Sequence, residues 1–210
     1  MKRLLHGLAK AGGLLALSGG ATVIAAAILL NQSIDPSLIT LAVIVALIVF
    51  CTYHLNRKVE LLEDSLSHPE RTKMISGNKA LDLLAAFSFI LLLVFAYFAS
   101  RRPAQTIGIL LFPILIVLLY SVKWDEYNKK NRKPFKRLKE VPFFKNLVTA
   151  ITWGLIAFLA STYYGLPITV LTVCVFLIIF LRLLINTISF DIRDIRVDEI
   201  FRVMTIPVMF

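Results

Sequence analysis

Six almost wholly apolar stretches of about 18 to 22 residues recur along the chain, each matching the roughly 20 residues a helix needs to cross a bilayer core. They fall at 12–30, 37–54, 80–99, 104–122, 146–164 and 167–188. With 58% hydrophobic and 17% charged residues among 210, the chain carries more apolar surface than a soluble domain of that size could bury. Strand-type alternation over about ten residues is absent, which argues against a membrane barrel. The expectation is an all-α, polytopic helical bundle forming a single membrane domain over residues 1–210. Residues 1–30, with Ala25 to Ala27, share features with a signal peptide. The length of that apolar run, and the second span close behind it, favour a retained first helix.

The distribution of Lys and Arg sets the expected orientation. Placing the amino terminus in the cytoplasm puts Lys2, Arg3, Lys10, Arg57, Lys58, Arg71, Lys73 and Lys79 on that side. The basic segment from Lys123 to Lys145 and Arg193, Arg196 and Arg202 join them, whereas Arg101 and Arg102 alone face outward. The chain is therefore expected in the cytoplasmic (inner) membrane with both termini inside. The net charge of +10 then follows from topology and anionic lipid, and requires no nucleic acid. Cys51 and Cys174 lie at different depths, so no disulfide is expected, and both read as buried small apolar residues. His6, His54 and His68 lack metal-ligand spacing and read as solvated or interfacial.

The last apolar stretch runs into an acid ladder. On a helix, Asp191, Asp194 and Asp198 (i, i+3, i+7) fall within about 60° of one another on one face. Oxygen-only clusters of this kind suit Mg²⁺, which takes further ligands from water and substrate phosphate. If the second helix continues past its apolar stretch, Asn56, Glu60 and Asp64 (i, i+4, i+8) share a face at the same depth. Two such faces could hold Mg²⁺ ions between them around a diphosphate. Either cluster alone could equally solvate a helix end or pair with Arg57, Lys58, Arg193 and Arg196.

The loop between the fourth and fifth spans is strongly basic, and Lys136, Arg137 and Lys139 are its candidates for meeting an anion. Lys129 to Lys133 read as positive-inside topology. Arg182 and Asn186, one turn apart inside the sixth span, could face the polar end of a cavity, with snorkelling the alternative for Arg182. Asp82, at the start of the third span, either pairs with a loop cation or marks the interface.

These residues resemble the UbiA superfamily of intramembrane prenyltransferases. The resemblance rests on Asp191-Ile-Arg-Asp194-Ile-Arg-Val-Asp198 with the trailing Thr205-Ile-Pro207, which looks like the second Asp-rich motif. It also rests on Lys136-Arg137 followed by Pro142, and on Tyr53 to Glu60 standing where the first Asp-rich motif should be. The pattern departs at Asn56, where the family has Asp, and at Val197, where it often has Gly. The resemblance implies nine spans, so the chain is expected to lack the last three helices.

It further implies a Mg²⁺-dependent transfer of a prenyl group from a polyprenyl diphosphate to a hydrophobic acceptor, aromatic or lipid, within the bilayer. Asn56, Glu60, Asp191, Asp194 and Asp198 would hold the metal, and Lys136, Arg137 and Lys139 would bind the diphosphate. Asp64, Arg182 and Asn186 are possible additions. A CDP-alcohol phosphotransferase resembles a pattern of Asp-Gly pairs that is absent here. A non-catalytic membrane scaffold or transporter-like fragment is the alternative.

Overall fold

The computed structural model describes residues 12–61, 65–66, 69–121, 138, 141–200 and 203–209. Asp64, Lys136, Arg137 and Lys139 therefore lie outside the described residues. Among those described there is no strand. The helices run α1 Gly13–Leu29, α2 Pro36–Val59, α3 Pro69–Ile75, α4 Lys79–Ala99, α5 Pro103–Ser121, α6 Phe144–Gly154, α7 Ile156–Tyr164, α8 Val170–Ile200 and α9 Ile206–Met209.

All six expected apolar stretches are helical. Four segments are long and apolar enough to cross a membrane: Pro36–Val59, Lys79–Ala99, Phe144–Tyr164 and Val170–Arg196. Gly13–Leu29 and Pro103–Leu119 are shorter apolar helices.

Helix starts follow local chemistry. Asp35 caps α2, its Oδ1 accepting from the Leu38 amide at 2.7 Å, and Pro36 occupies the first turn, where its missing N–H costs nothing. Asn78 caps α4 in the same way, accepting from the Leu81 amide at 3.3 Å. Two helices run on past their apolar stretches, which end at 54 and 188, as the shared faces of Asn56 with Glu60 and of Asp191, Asp194 and Asp198 assume. The fall in hydropathy marks where the apolar layer stops, while the side chains that follow still favour helix, so α2 reaches Val59 and α8 reaches Ile200. At 31 residues, α8 is about 46 Å long, well beyond a bilayer core of about 30 Å. The fifth stretch is one span, Phe144–Tyr164, as expected: Leu155 between α6 and α7 keeps helical dihedrals, its amide donating to the Ile151 carbonyl and its carbonyl accepting from the Leu159 amide, both at 2.9 Å.

Without a hydrophobic force between helices in lipid, close packing depends on small residues. Gly19 and Gly20 bring α1 against α2. A Cβ on Gly19 would lie 2.7 Å from Val49 Cγ2, and one on Gly20 would lie 3.0 Å from the Ala42 carbonyl oxygen. Around that seam Val23, Leu41, Ile44, Val45, Leu92 and Leu159 form the buried core. Outward-facing Phe98 and Val170, 80% and 81% exposed, belong to an apolar surface suited to lipid. Cys51 is buried but Cys174 is exposed on that surface, which corrects the expectation for Cys174, and both are free thiols.

The end away from the acid ladder is closed by polar contacts. Tyr163 OH donates to the Ser37 carbonyl at 3.2 Å, Tyr164 OH to Asp35 Oδ1 at 3.4 Å, and the Arg101 amide to the Tyr163 carbonyl at 3.0 Å. Pro113 lies inside α5 and faces a cavity between the helices.

Gly19→Leu should destabilise the bundle by about 1–3 kcal/mol, the usual scale of overpacking. Gly108→Ala, where a Cβ meets nothing within 4 Å, should be neutral or slightly stabilising. Thermal unfolding in one detergent reads both.

Candidate functional site

A cavity of about 650 Å³ opens between α2, α5, α6, α7 and α8. Its deep walls are apolar, with Val45 and Ile48 of α2, Leu110 and Pro113 of α5, and Ile156 and Leu159 of α7. Its mouth is polar because helical periodicity carries the same faces of α2 and α8 past the apolar layer. On α2 the cavity face continues from Val49 through Thr52 and Tyr53 to Asn56, Arg57 and Glu60. On α8 it continues from Leu183 through Asn186 and Thr187 to Asp191, Asp194 and Asp198.

Asn56, Glu60, Asp191, Asp194, Asp198 and Asn186 thus all line one cavity. Arg182 does not line it, and its side chain is exposed.

The central contact comes from a residue that the sequence reading counted only as topology. Lys145, in the first turn of α6, places its ammonium 2.7 Å from Asp191 Oδ1 and 3.0 Å from Asp198 Oδ2. The same nitrogen donates to Asp198 Oδ1 at 3.2 Å. Both carboxylates are buried, and each has a second donor. Asn146 Nδ2 donates to Asp191 Oδ2 at 2.6 Å, and Thr205 Oγ1 donates to Asp198 Oδ2 at 3.4 Å.

Asp198 lies just beyond the apolar part of α8. Burial pushes its carboxyl above the usual carboxylate range, while Lys145 beside it pulls in the opposite direction. The segment following α8 is tied to the start of α6 by the Phe143 amide, which donates to the Met204 carbonyl at 3.2 Å.

The outer half of the mouth is more open. Arg193 forks onto its neighbour Asp194 with two bonds of 3.1 Å, its own side chain 60% exposed. Asn56 Nδ2 donates to Glu60 Oε2 at 3.1 Å, and the Arg57 guanidinium lies 4.9 Å over the Tyr53 ring. The tip of α1 meets the same ring: a Cβ on Gly12, at φ +90, would fall 2.3 Å from Tyr53 Cδ1.

The opposite face of α2 carries a separate cluster. His54 Nε2 lies 2.8 Å from Asp82 Oδ1, and Lys58 Nζ lies 3.0 Å from the same oxygen. His54 is buried and stacked on Phe50, which corrects the solvated reading. Asp82, one turn into α4, is its partner. Cys51 Sγ donates to the Ala85 carbonyl at 3.2 Å on the same face. The cluster grips one side of α2 while the Asn56 and Glu60 side faces the cavity.

Among the described residues, no three His, Cys, Asp or Glu side chains converge closely enough to form a metal cage on their own. The donor set is nevertheless one that Mg²⁺ accepts. It is oxygen-only, and Asp191 and Asp198 reach a single cationic centre at 2.7 and 3.0 Å, the centre being the Lys145 ammonium.

A profile of the UbiA prenyltransferase family matches residues 14–210. The chain belongs to that family. Comparison with curated proteins and with solved structures gives no match. UbiA membership and the apolar helices make this an integral membrane protein of a prenyltransferase family whose enzymes are generally Mg²⁺-dependent.

Lys145 and Asn146 carried no motif signal. Their one visible cue was position, three and four residues after Pro142 at the start of a span.

Lys145→Ala would leave two buried carboxylates without their counter-charge. It should cost about 3–5 kcal/mol of stability. Arg193→Ala, which removes a partner from an exposed pair, should cost less than about 1 kcal/mol. Chemical denaturation in mild detergent distinguishes the two.

Proposed function

We propose that the chain is a Mg²⁺-dependent prenyltransferase, moving a polyprenyl group from its diphosphate to a hydrophobic acceptor, aromatic or lipid, inside the membrane. The observation that carries this is one cavity with an apolar depth and a mouth lined by the oxygen-bearing ends of two helices. Such a shape complements an amphiphile with a charged head and an isoprenoid tail.

The tail would lie against Ile48, Leu110, Ile156 and Leu159, with the diphosphate at the level of Asp191 and Glu60. Asn56, Glu60, Asp191, Asp194 and Asp198 supply the oxygens with which Mg²⁺ would be held. When bound, the ion neutralises charge on the departing diphosphate. The protein's own cations at the mouth, Arg57, Lys145 and Arg193, add fixed positive charge to the same anion. Lys136, Arg137 and Lys139 are proposed to join them from the preceding loop.

Loss of diphosphate breaks the allylic C–O bond, its electron pair leaving with the phosphate oxygen, and gives the prenyl carbon cation character. The acceptor supplies the pair for the new bond and loses a proton. Tyr53, Trp153 and Phe190 line the cavity, and their bulk would exclude water from the reacting carbon. The proposed orientation places the mouth, both termini and residues 125–135 in the cytoplasm.

Transfer from a radiolabelled polyprenyl diphosphate in membranes tests the reading. Activity should require Mg²⁺ and vanish on chelation. Asp194→Asn should raise the Mg²⁺ concentration needed for half-maximal activity by about tenfold or more, whereas Asn56→Asp, adding a charged oxygen, should lower it. Activity that survives chelation and ignores both changes would sink the mechanism. Inactivity of every version would favour a non-catalytic scaffold, the reading to which the neutral amide at Asn56 lends weight.

Topology is checked separately by single cysteines introduced at 125–135. They should label with a membrane-impermeant reagent only after the cells are opened, and labelling of intact cells would reverse the orientation.

A further inference from the structure

We propose that Asn146 is a positioning residue for Asp191, its buried amide fixing how that carboxylate presents its oxygens to a metal ion at the cavity mouth. The inference rests on reading the mouth as a metal–diphosphate site, and it deepens that reading by naming a residue that acts on the site through another.

The grip on Asp191 comes from two neighbouring residues of α6. Lys145 Nζ lies 2.7 Å from Oδ1, and Asn146 Nδ2 donates to Oδ2 at 2.6 Å. The two contacts differ in kind. An ammonium is a compact charge with three rotatable donors, so it balances the carboxylate without fixing its plane. An amide is planar, and its N–H groups have set directions. Each Asp191 oxygen accepts once from α6, and a carboxylate offers about four lone-pair sites, so capacity for an ion remains on both.

The orientation of the amide is itself determined. Its nitrogen faces two acceptors on α8, Asp191 Oδ2 and, at 3.4 Å, the Thr187 hydroxyl oxygen. That hydroxyl donates its proton to the Leu184 carbonyl at 2.9 Å, so toward Asn146 it can only accept. Turning the amide over would set two oxygens 2.6 Å apart at Asp191. Asn146 is 0% exposed and does not line the cavity, whereas Lys145 and Thr149 beside it do. It therefore reaches the cavity through the α8 side chains that it holds.

The other half of the amide separates this role from packing. Asn146 Oδ1 is buried without a hydrogen-bond partner. An unpartnered buried carbonyl opposes folding, and an apolar side chain of similar shape, such as Leu, would fill the same space without that penalty. What Leu could not supply is the donor to Asp191.

Mn²⁺ binding with inorganic pyrophosphate, read by electron paramagnetic resonance on the full chain in lipid nanodiscs, tests this beside the thermal midpoint of the metal-free protein. Asn146→Leu should weaken Mn²⁺ binding by about tenfold or more, the scale expected when the partner of a ligand is removed. Its midpoint should stay close to that of the wild type, because loss of one donor to Asp191 is offset by loss of the unpartnered oxygen. Mn²⁺ affinity within about twofold of the wild type would overturn the proposal. In an Asp191→Asn background, Asn146→Leu should add less than about twofold, and a further loss of about tenfold there would show that Asn146 does not act through Asp191.

Asn146→Ala, which cannot overpack, gives the same reading should the Leu variant not fold. If the wild type itself binds no Mn²⁺ with pyrophosphate, the metal–diphosphate reading fails and this inference with it. Wild-type binding that neither Asn146 variant disturbs removes the Asn146 assignment alone.

Discussion

Two carboxylates buried at the end of a membrane bundle need a counter-charge, and the meeting of Lys145 with Asp191 and Asp198 is the contact on which the acid-bearing end depends. Isolated charges of either sign would be costly there, and breaking such a group after folding costs more than forming it gained. The requirement fixes α6 against α8 in rotation as well as distance, since a quarter-turn of either helix would strand a charge. With α8 held in that rotation, its remaining cavity face follows from periodicity alone: Asp194 toward the mouth, Thr187 and Leu183 toward the depth.

The other helices are fixed by different means. Glycines seat α1 on α2, and the opposite rim is closed by Tyr163, Tyr164 and Asp35. The grip of Asp82 on His54 and Lys58 holds α4 against the face of α2 that does not see the cavity. Several seams thus combine close apolar contact with hydrogen-bonded polar groups, although the buried Asn146 Oδ1 at the α6–α8 seam has no partner.

What the sequence disclosed divides along a physical line. Local periodicity was legible: the six apolar helices, the shared face of Asn56 and Glu60, and the ladder of Asp191, Asp194 and Asp198 all follow from 3.6 residues per turn. Contacts between helices were not. Lys145 is one basic residue among many until α6 is packed on α8, and His54 looks solvated until α4 brings Asp82 beside it. The close approach of Gly154 to α8, where a Cβ would fall 2.7 Å from Phe176, was hidden as well, since no pattern within one helix encodes its neighbour's ring.

The length of α8 has a consequence for how a lipid-like molecule would reach the cavity. A helix longer than the hydrocarbon layer is thick sets its acidic turns among headgroups while its apolar turns remain among acyl chains. An amphiphile already dissolved in the bilayer is stratified in the same order. Such a molecule could slide in sideways at constant depth, its anion never entering oil and its tail never entering water. The cost of bringing it in would then be mainly lost lateral freedom, with little further desolvation of the head.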